Sequence, residues 1–140
     1  MIESLFLDTA YLVALLHTGD AWHDSALFWR DEAIHNHNTI LTTEYILIEF
    51  VDGFSVLRFR QQAVATISIL RSNPLIEIVP SSTVLLDLGL DLYRKRPDKE
   101  WSLTDCISFI VMQSQGLSQA LTSDHHFEQA GFRALLREKI

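Results

Sequence analysis

Short apolar runs alternate with segments of helical spacing along most of this chain, and that alternation limits its folds more than any single motif does. Ile2 to Leu7, Ile40 to Thr42, Leu75 to Val79 and Gln119 to Ser123 read as buried strands. Between them, Thr9 to Leu16, Trp22 to His35, Thr43 to Leu57, Gln61 to Arg71, the segment after Ser82 and Thr104 to Gln115 carry apolar residues at helical intervals. Asp124 to Gln129 reads as a short helix, and Phe132 to Leu136 as a further edge strand. Strands that alternate with helices imply a mostly parallel sheet covered on both faces. The expected fold is therefore a three-layer α/β/α sandwich with four to five strands, formed by residues 1–140 as a single domain. Ligands of such sheets sit beyond the carboxyl ends of the strands. Asp8 and Asp124 stand at two of those ends.

Composition narrows the function classes. Eighteen acids against eleven bases give a net charge of −7, the wrong sign for a protein that coats nucleic acid electrostatically. The same charge suits a chain that gathers metal ions or meets a basic partner. Cys106 is the single cysteine, so neither a disulfide framework nor a cysteine zinc cluster is available. The apolar stretch at 10–16 is too short to span a bilayer, and the residues before it lack the Lys or Arg of a signal peptide. The expected compartment is the cytoplasm.

Acidic residues carry the most specific signal. Ser102 and Asp105 have the spacing of a capping box, and Asp8 and Asp124 can also cap the helices that follow them. Capping alone would account for these three. Glu49 lies in mid-helix and can cap nothing. It falls at the edge of the inward stripe set by Ile46, Phe50 and Phe54, where a carboxylate costs free energy unless something positive meets it. One solution is an ion pair with Arg58 or Arg60. The other is a cleft shared with Asp8, Asp105 and Asp124, where mutual repulsion would raise the carboxyl pKa values unless a hard divalent cation such as Mg²⁺ or Mn²⁺ sat among them.

"LFLDTAYLVALL", "TTEYILIEF", "WSLTDCISF" and "ALTSDHHFEQAGF" together resemble the four acidic motifs of the PIN-domain family, in particular its VapC-like toxin ribonucleases. They occur in the family's order and cover most of the chain. The resemblance implies a parallel sheet between helices. It makes Asp8, Glu49, Asp105 and Asp124 both the catalytic and the metal-binding residues, with Mg²⁺ (or Mn²⁺) as cofactor. It also implies hydrolysis of RNA to 3′-hydroxyl and 5′-phosphate ends. Thr9, Thr104 and Ser123 are neighbouring hydroxyls that could orient a carboxylate or simply satisfy caps and core. Expected partners are an RNA substrate, a cognate antitoxin that pushes a cationic side chain into the acidic cleft, and a second copy of the chain.

Other features divide between a functional and a plain reading. Arg94, Lys95, Arg96 and Lys99 either form a basic rim or lie in a solvated loop. Trp101 either stacks on a base or packs. His125 and His126 diverge by about 100° if helical, which favours the surface over a ready-made pair of ligands. Ile48, Val51, Val56 and Ile69 either cover an interface or are buried within the monomer. Among rival functions, a haloacid-dehalogenase-like phosphatase would want a second Asp where Ala10 stands. A receiver domain would want an acidic pair near the first strand. A PIN-like nuclease of RNA processing without an antitoxin, or an acidic interaction module without catalysis, remains as the alternative. Neither a dinucleotide-binding nor a P-loop glycine motif occurs.

Overall fold

The computed structural model describes residues 3–138. A parallel sheet of five strands runs through its centre in the order β3-β2-β1-β4-β5. The strands are β1 (Leu5–Leu7), β2 (Ile40–Thr43), β3 (Ile76–Val79), β4 (Gln119–Leu121) and β5 (Arg133–Ala134). The helices are α1 (Thr9–Leu16), α2 (His23–His35), α3 (Glu44–Gly53), α4 (Leu57–Ser72), α5 (Thr83–Lys95), α6 (Leu103–Ser114) and α7 (His125–Gln129). This is the three-layer α/β/α sandwich that the alternation predicts. Ile2, read as the start of the first strand, lies outside the described residues.

β1 is buried along its whole length, as a central strand flanked by parallel neighbours must be. From β1 the chain first builds outward through β2 to β3, then returns to lay β4 on the other side of β1. The direction of winding therefore reverses at β1. Asp8 follows β1 and Asp124 follows β4, so the two acids flank the crevice that this reversal opens.

Aromatic packing holds the helices that bear the remaining acids. Phe109 of α6 meets Trp101 and Phe127 edge-on, each with ring centroids 5.0 Å apart, and Phe127 also touches Phe6 of β1. Such pairs contribute about 0.5–1.5 kcal/mol each beyond their buried area. Trp101 is buried and donates its indole N–H to Gln129, so it packs rather than presenting a stacking face. On the opposite side of α6, α5 comes close enough that a Cβ on Gly89 would collide with Ile107.

Some boundaries differ from the periodicity. The helix read over 43–57 stops at Gly53, and a new helix starts at Leu57 rather than Gln61. Gly53 and Ser55 are poor helix formers, and the Ser55 carbonyl is taken by Arg60 Nε at 2.8 Å. Phe54 keeps its inward contact, 4.8 Å from the Phe50 ring, so the apolar spacing runs through a break that the backbone makes. At the end of α6, Gly116 adopts φ +69° and lets the Leu117 amide reach back to the Met112 carbonyl at 2.9 Å. Ile48, Val51, Val56 and Ile69 are exposed, which removes burial within the monomer as their explanation. No helix among the described residues is long and apolar enough to cross a membrane.

Candidate active site

The four acids reach one place by four local routes. Asp8 sits where β1 hands over to α1, yet its side chain makes no capping bond. The Thr122 hydroxyl instead donates to Asp8 Oδ2 at 2.7 Å. Glu49 projects from the middle of α3 and accepts a hydrogen bond from Thr9 Oγ1 at 2.6 Å. Asp105 does close a capping box: its amide donates to Ser102 Oγ at 3.0 Å, and the Ser102 amide donates to Asp105 Oδ2 at 3.1 Å. Asp124 caps α7 by accepting from the His126 amide at 2.9 Å. Capping and convergence thus coexist at Asp105 and Asp124, whereas Asp8 and Glu49 serve no helix end.

All four line one cavity of about 410 Å³, together with Glu100, Ser102 and His126. Among the described residues Glu49 has no ion pair. Arg58 lies over the Phe59 ring and Arg60 is held by Ser55, so the arginine pairing open to Glu49 in sequence is not made.

The electrostatics follow from burial in a cavity that no Lys or Arg lines. Burial pushes the Asp8 carboxyl up to about 7; the Thr122 hydroxyl opposes the rise, while the charges of Asp105 and Glu49 add to it. Burial likewise raises Glu49, against the Thr9 hydrogen bond and with help from Asp105 and Asp124. It raises Asp105 too, where the Ser102 amide and His126 oppose and Asp124 adds. Carboxylates that repel one another in a desolvated pocket fit a divalent cation, which removes both penalties at once.

His126 is the main correction to the sequence reading. Its Nδ1 stands 3.1 Å from Asp105 Oδ2 and 3.3 Å from Asp124 Oδ1, well inside the cavity rather than at the surface. An ionised carboxylate only accepts, so facing one the Nδ1 carries the proton. The His125 and His126 rings also lie close, with centroids 4.5 Å apart, and one ligand atom from each of Asp124, His125 and His126 falls within 4.8 Å of the others. The divergence of helical neighbours holds: His125 is exposed and lies outside the cavity lining, while His126 on the other side turns in to the acids. The signal was the proximity of His126 to Asp124 around a helix start.

Of the hydroxyls, Thr9 orients Glu49. Thr104 opens instead onto a neighbouring cavity with Glu49 and Asp52. Ser123 offers its backbone carbonyl to Arg137 and, like Thr104, has no side-chain hydrogen bond to an acid among the described residues. Thr122, one residue away, takes the role considered for Ser123: it holds Asp8 and accepts from the Asp124 amide at 3.0 Å. Strand alternation around Asp124 would have pointed to it.

Comparison with known proteins places this geometry. The family model of the PIN domain matches residues 5–133. The 23S rRNA-specific endonuclease VapC20 of Mycobacterium tuberculosis is 25% identical over 131 residues, covering 91% of this chain and 95% of that protein. The crystal structure of that VapC20, described as a sarcin–ricin loop cleaving toxin, superposes with a TM-score of 0.80 at 25% identity and covers 94% of this chain and 98% of its own. FitAcB from Neisseria gonorrhoeae shares the fold, with a TM-score of 0.65 at 19% identity over 92% of this chain and 94% of its own.

Proposed function

The chain belongs to the PIN-domain family and is a ribonuclease of its VapC-like toxin type; on that premise we propose that it hydrolyses RNA phosphodiester bonds with a divalent cation held by Asp8, Glu49, Asp105 and Asp124. The observation that carries this reading is Asp8: a buried carboxyl raised to about 7, in a cavity it shares with other carboxylates and with no Lys or Arg. Such a group makes little sense in a merely structural role. A divalent cation, Mg²⁺ or Mn²⁺, would supply there a water of lowered pKa and neutralisation of the phosphoryl oxygens.

The chain's own residues prepare the site for this. Thr122 and Thr9 each hold one carboxylate oxygen, which fixes the Asp8 and Glu49 rotamers and leaves their second oxygens for the cation. Asp105 is oriented by the backbone of its own helix start. Asp8 and Asp105, the more deeply buried acids, are the main ligands. Glu49 and Asp124 complete the site directly or through water. His126 supplies a nitrogen beside Asp105 and Asp124. In-line attack of water gives 3′-hydroxyl and 5′-phosphate ends.

A ribosomal hairpin of the kind cut by the mycobacterial relative is the first substrate to test. The reading takes residues 1–140 as one domain acting in the cytoplasm. Its partners are an antitoxin that places a cationic side chain among the acids, and a second copy of the chain. The experiment is incubation with total RNA with and without Mg²⁺ or Mn²⁺, with cleavage ends mapped. Asp8→Asn and Asp105→Asn should fold and lose metal-dependent cleavage. Full activity in either purified variant overturns the assignment.

A further inference from the structure

A second cavity, about 810 Å³, lies beside the acidic one and shares Glu100 and Ser102 with it. It is framed by the end of α5, the 96–102 loop and the start of α6. Its lining has two chemistries. Leu90, Tyr93 and Pro97 form an apolar side, and Arg94, Arg96 and Lys99 a cationic one. Resting on the ribonuclease reading, we propose that this groove is the docking subsite for the RNA strand next to the scissile phosphate, with Tyr93 against a base and Lys99 and Arg94 on phosphates.

The charge distribution requires such a feature. A chain of net charge −7 with an acidic reaction site does not draw RNA by its overall field. At physiological salt, charges more than about 8 Å apart are largely screened, so affinity must come from cations close to the site. The 94–99 segment supplies cations at a cavity that opens into the acids. Lys99 has no ion pair among the described residues, and Arg94 shares Asp91 with Lys95, so both can turn to phosphate. Arg96 is differently used: it grips Asp98 through two hydrogen bonds of 3.0 Å and lies 5.0 Å over the Trp101 ring. It therefore stiffens the loop that carries Lys99. That loop ends at Ser102, whose hydroxyl and amide are bonded to Asp105, so the groove joins the acidic site through the start of α6.

Tyr93 supplies the other half. It is 53% exposed at the last turn of α5, although an aromatic ring there contributes little to the core. An exposed ring in a groove that also holds cationic side chains is the arrangement that binds single-stranded nucleic acid by stacking and phosphate contact.

The test uses Tyr93→Ala and Arg94→Ala, at exposed positions, and Lys99→Ala and Lys99→Arg, at a half-buried one, with a fluorescent RNA hairpin titrated in EDTA at several salt concentrations. Lys99→Ala and Tyr93→Ala should each weaken binding by about five- to tenfold. Lys99→Ala and Arg94→Ala should each flatten the slope of log K against log salt by about 0.7, whereas Tyr93→Ala should leave it unchanged. Lys99→Arg should restore binding. In cleavage assays the loss should fall on KM, with kcat held. Wild-type affinity and KM in a Tyr93→Ala/Lys99→Ala double variant would overturn the groove while cleavage by the parent chain upholds the nuclease. A loss of protein-partner binding with RNA binding intact would also overturn it. A parent chain that neither binds nor cuts RNA would sink the nuclease reading itself.

Discussion

The Thr122 hydroxyl reaches Asp8 Oδ2 at 2.7 Å across 114 residues of sequence, and both groups are buried. It is the contact that fixes which way this buried carboxyl faces. Thr122→Val keeps the shape and removes the donor. Partners of this kind govern metal affinity or activity by about 10- to 100-fold, so Mn²⁺ binding and cleavage should both fall by that order. Thr122→Ser should recover most of the loss. A Thr122→Val protein with unchanged Mn²⁺ affinity in calorimetry would remove this role.

Metal-free stability should depend on pH in an unusual direction. Asp8 is raised from its ordinary 3.8 to about 7, and Glu49 and Asp105 are raised as well. Between about pH 4 and 7 the folded protein therefore holds a proton at Asp8 that the unfolded chain has released, and Glu49 and Asp105 act in the same sense. Their contribution is fully present at low pH and is lost as pH rises through the folded value. Groups with lowered values, such as Glu3 and Glu138, act in the opposite sense, so the comparison must be internal. In EDTA, urea melts from pH 4.5 to 8 should show Asp8→Asn gaining on the parent chain as pH rises. Mg²⁺ should close that gap by stabilising the parent alone. Parallel pH profiles would refute it.

Gly89→Ala tests the α5–α6 contact. Alanine favours a helix by about 1 kcal/mol. Here its methyl group would enter the space of Ile107, with Leu103 close behind. Overpacking of this kind costs about 1–3 kcal/mol, so the variant should melt lower, not higher. The penalty should shrink in an Ile107→Ala background, as expected for residues in contact. A rise in melting temperature would show that the helices can part freely.

His126→Ala removes the nitrogen between Asp105 and Asp124. Imidazole suits borderline transition metals better than Mg²⁺. The substitution should weaken Mn²⁺ more than Mg²⁺, by a factor on the order of ten, read by Mn²⁺ electron paramagnetic resonance and by calorimetry. Equal losses for both ions would mean that the ring acts only on the carboxylates.

How much of this was legible in the sequence depends on whether a feature is periodic or relational. The strands and helices follow from local pattern, and Glu49 stood out because a mid-helix carboxylate at a core edge has no local use; the set of four acids came with the family resemblance, since capping alone would account for the other three. The break at 54–56 was hidden because Phe54 and Phe59 keep the apolar spacing on either side of it. Thr122 was hidden because its partner lies at the far end of the chain, and nothing local marks a threonine just past a strand as a carboxylate's donor. His126 was misplaced because divergence says that one of two neighbouring histidines can face inward but not which way the helix is turned. The exposed Ile48, Val56 and Ile69 show the converse limit: hydrophobicity marks a contact without saying which molecule makes it.

The sheet order has a consequence during synthesis. β4 is the fourth strand made, but it pairs with the first. Until Thr122 and Asp124 have left the exit tunnel, the crevice beside β1 has only one wall. A half-made chain thus carries Asp8 without Asp124, and the acidic crevice closes only when the last strands are in place.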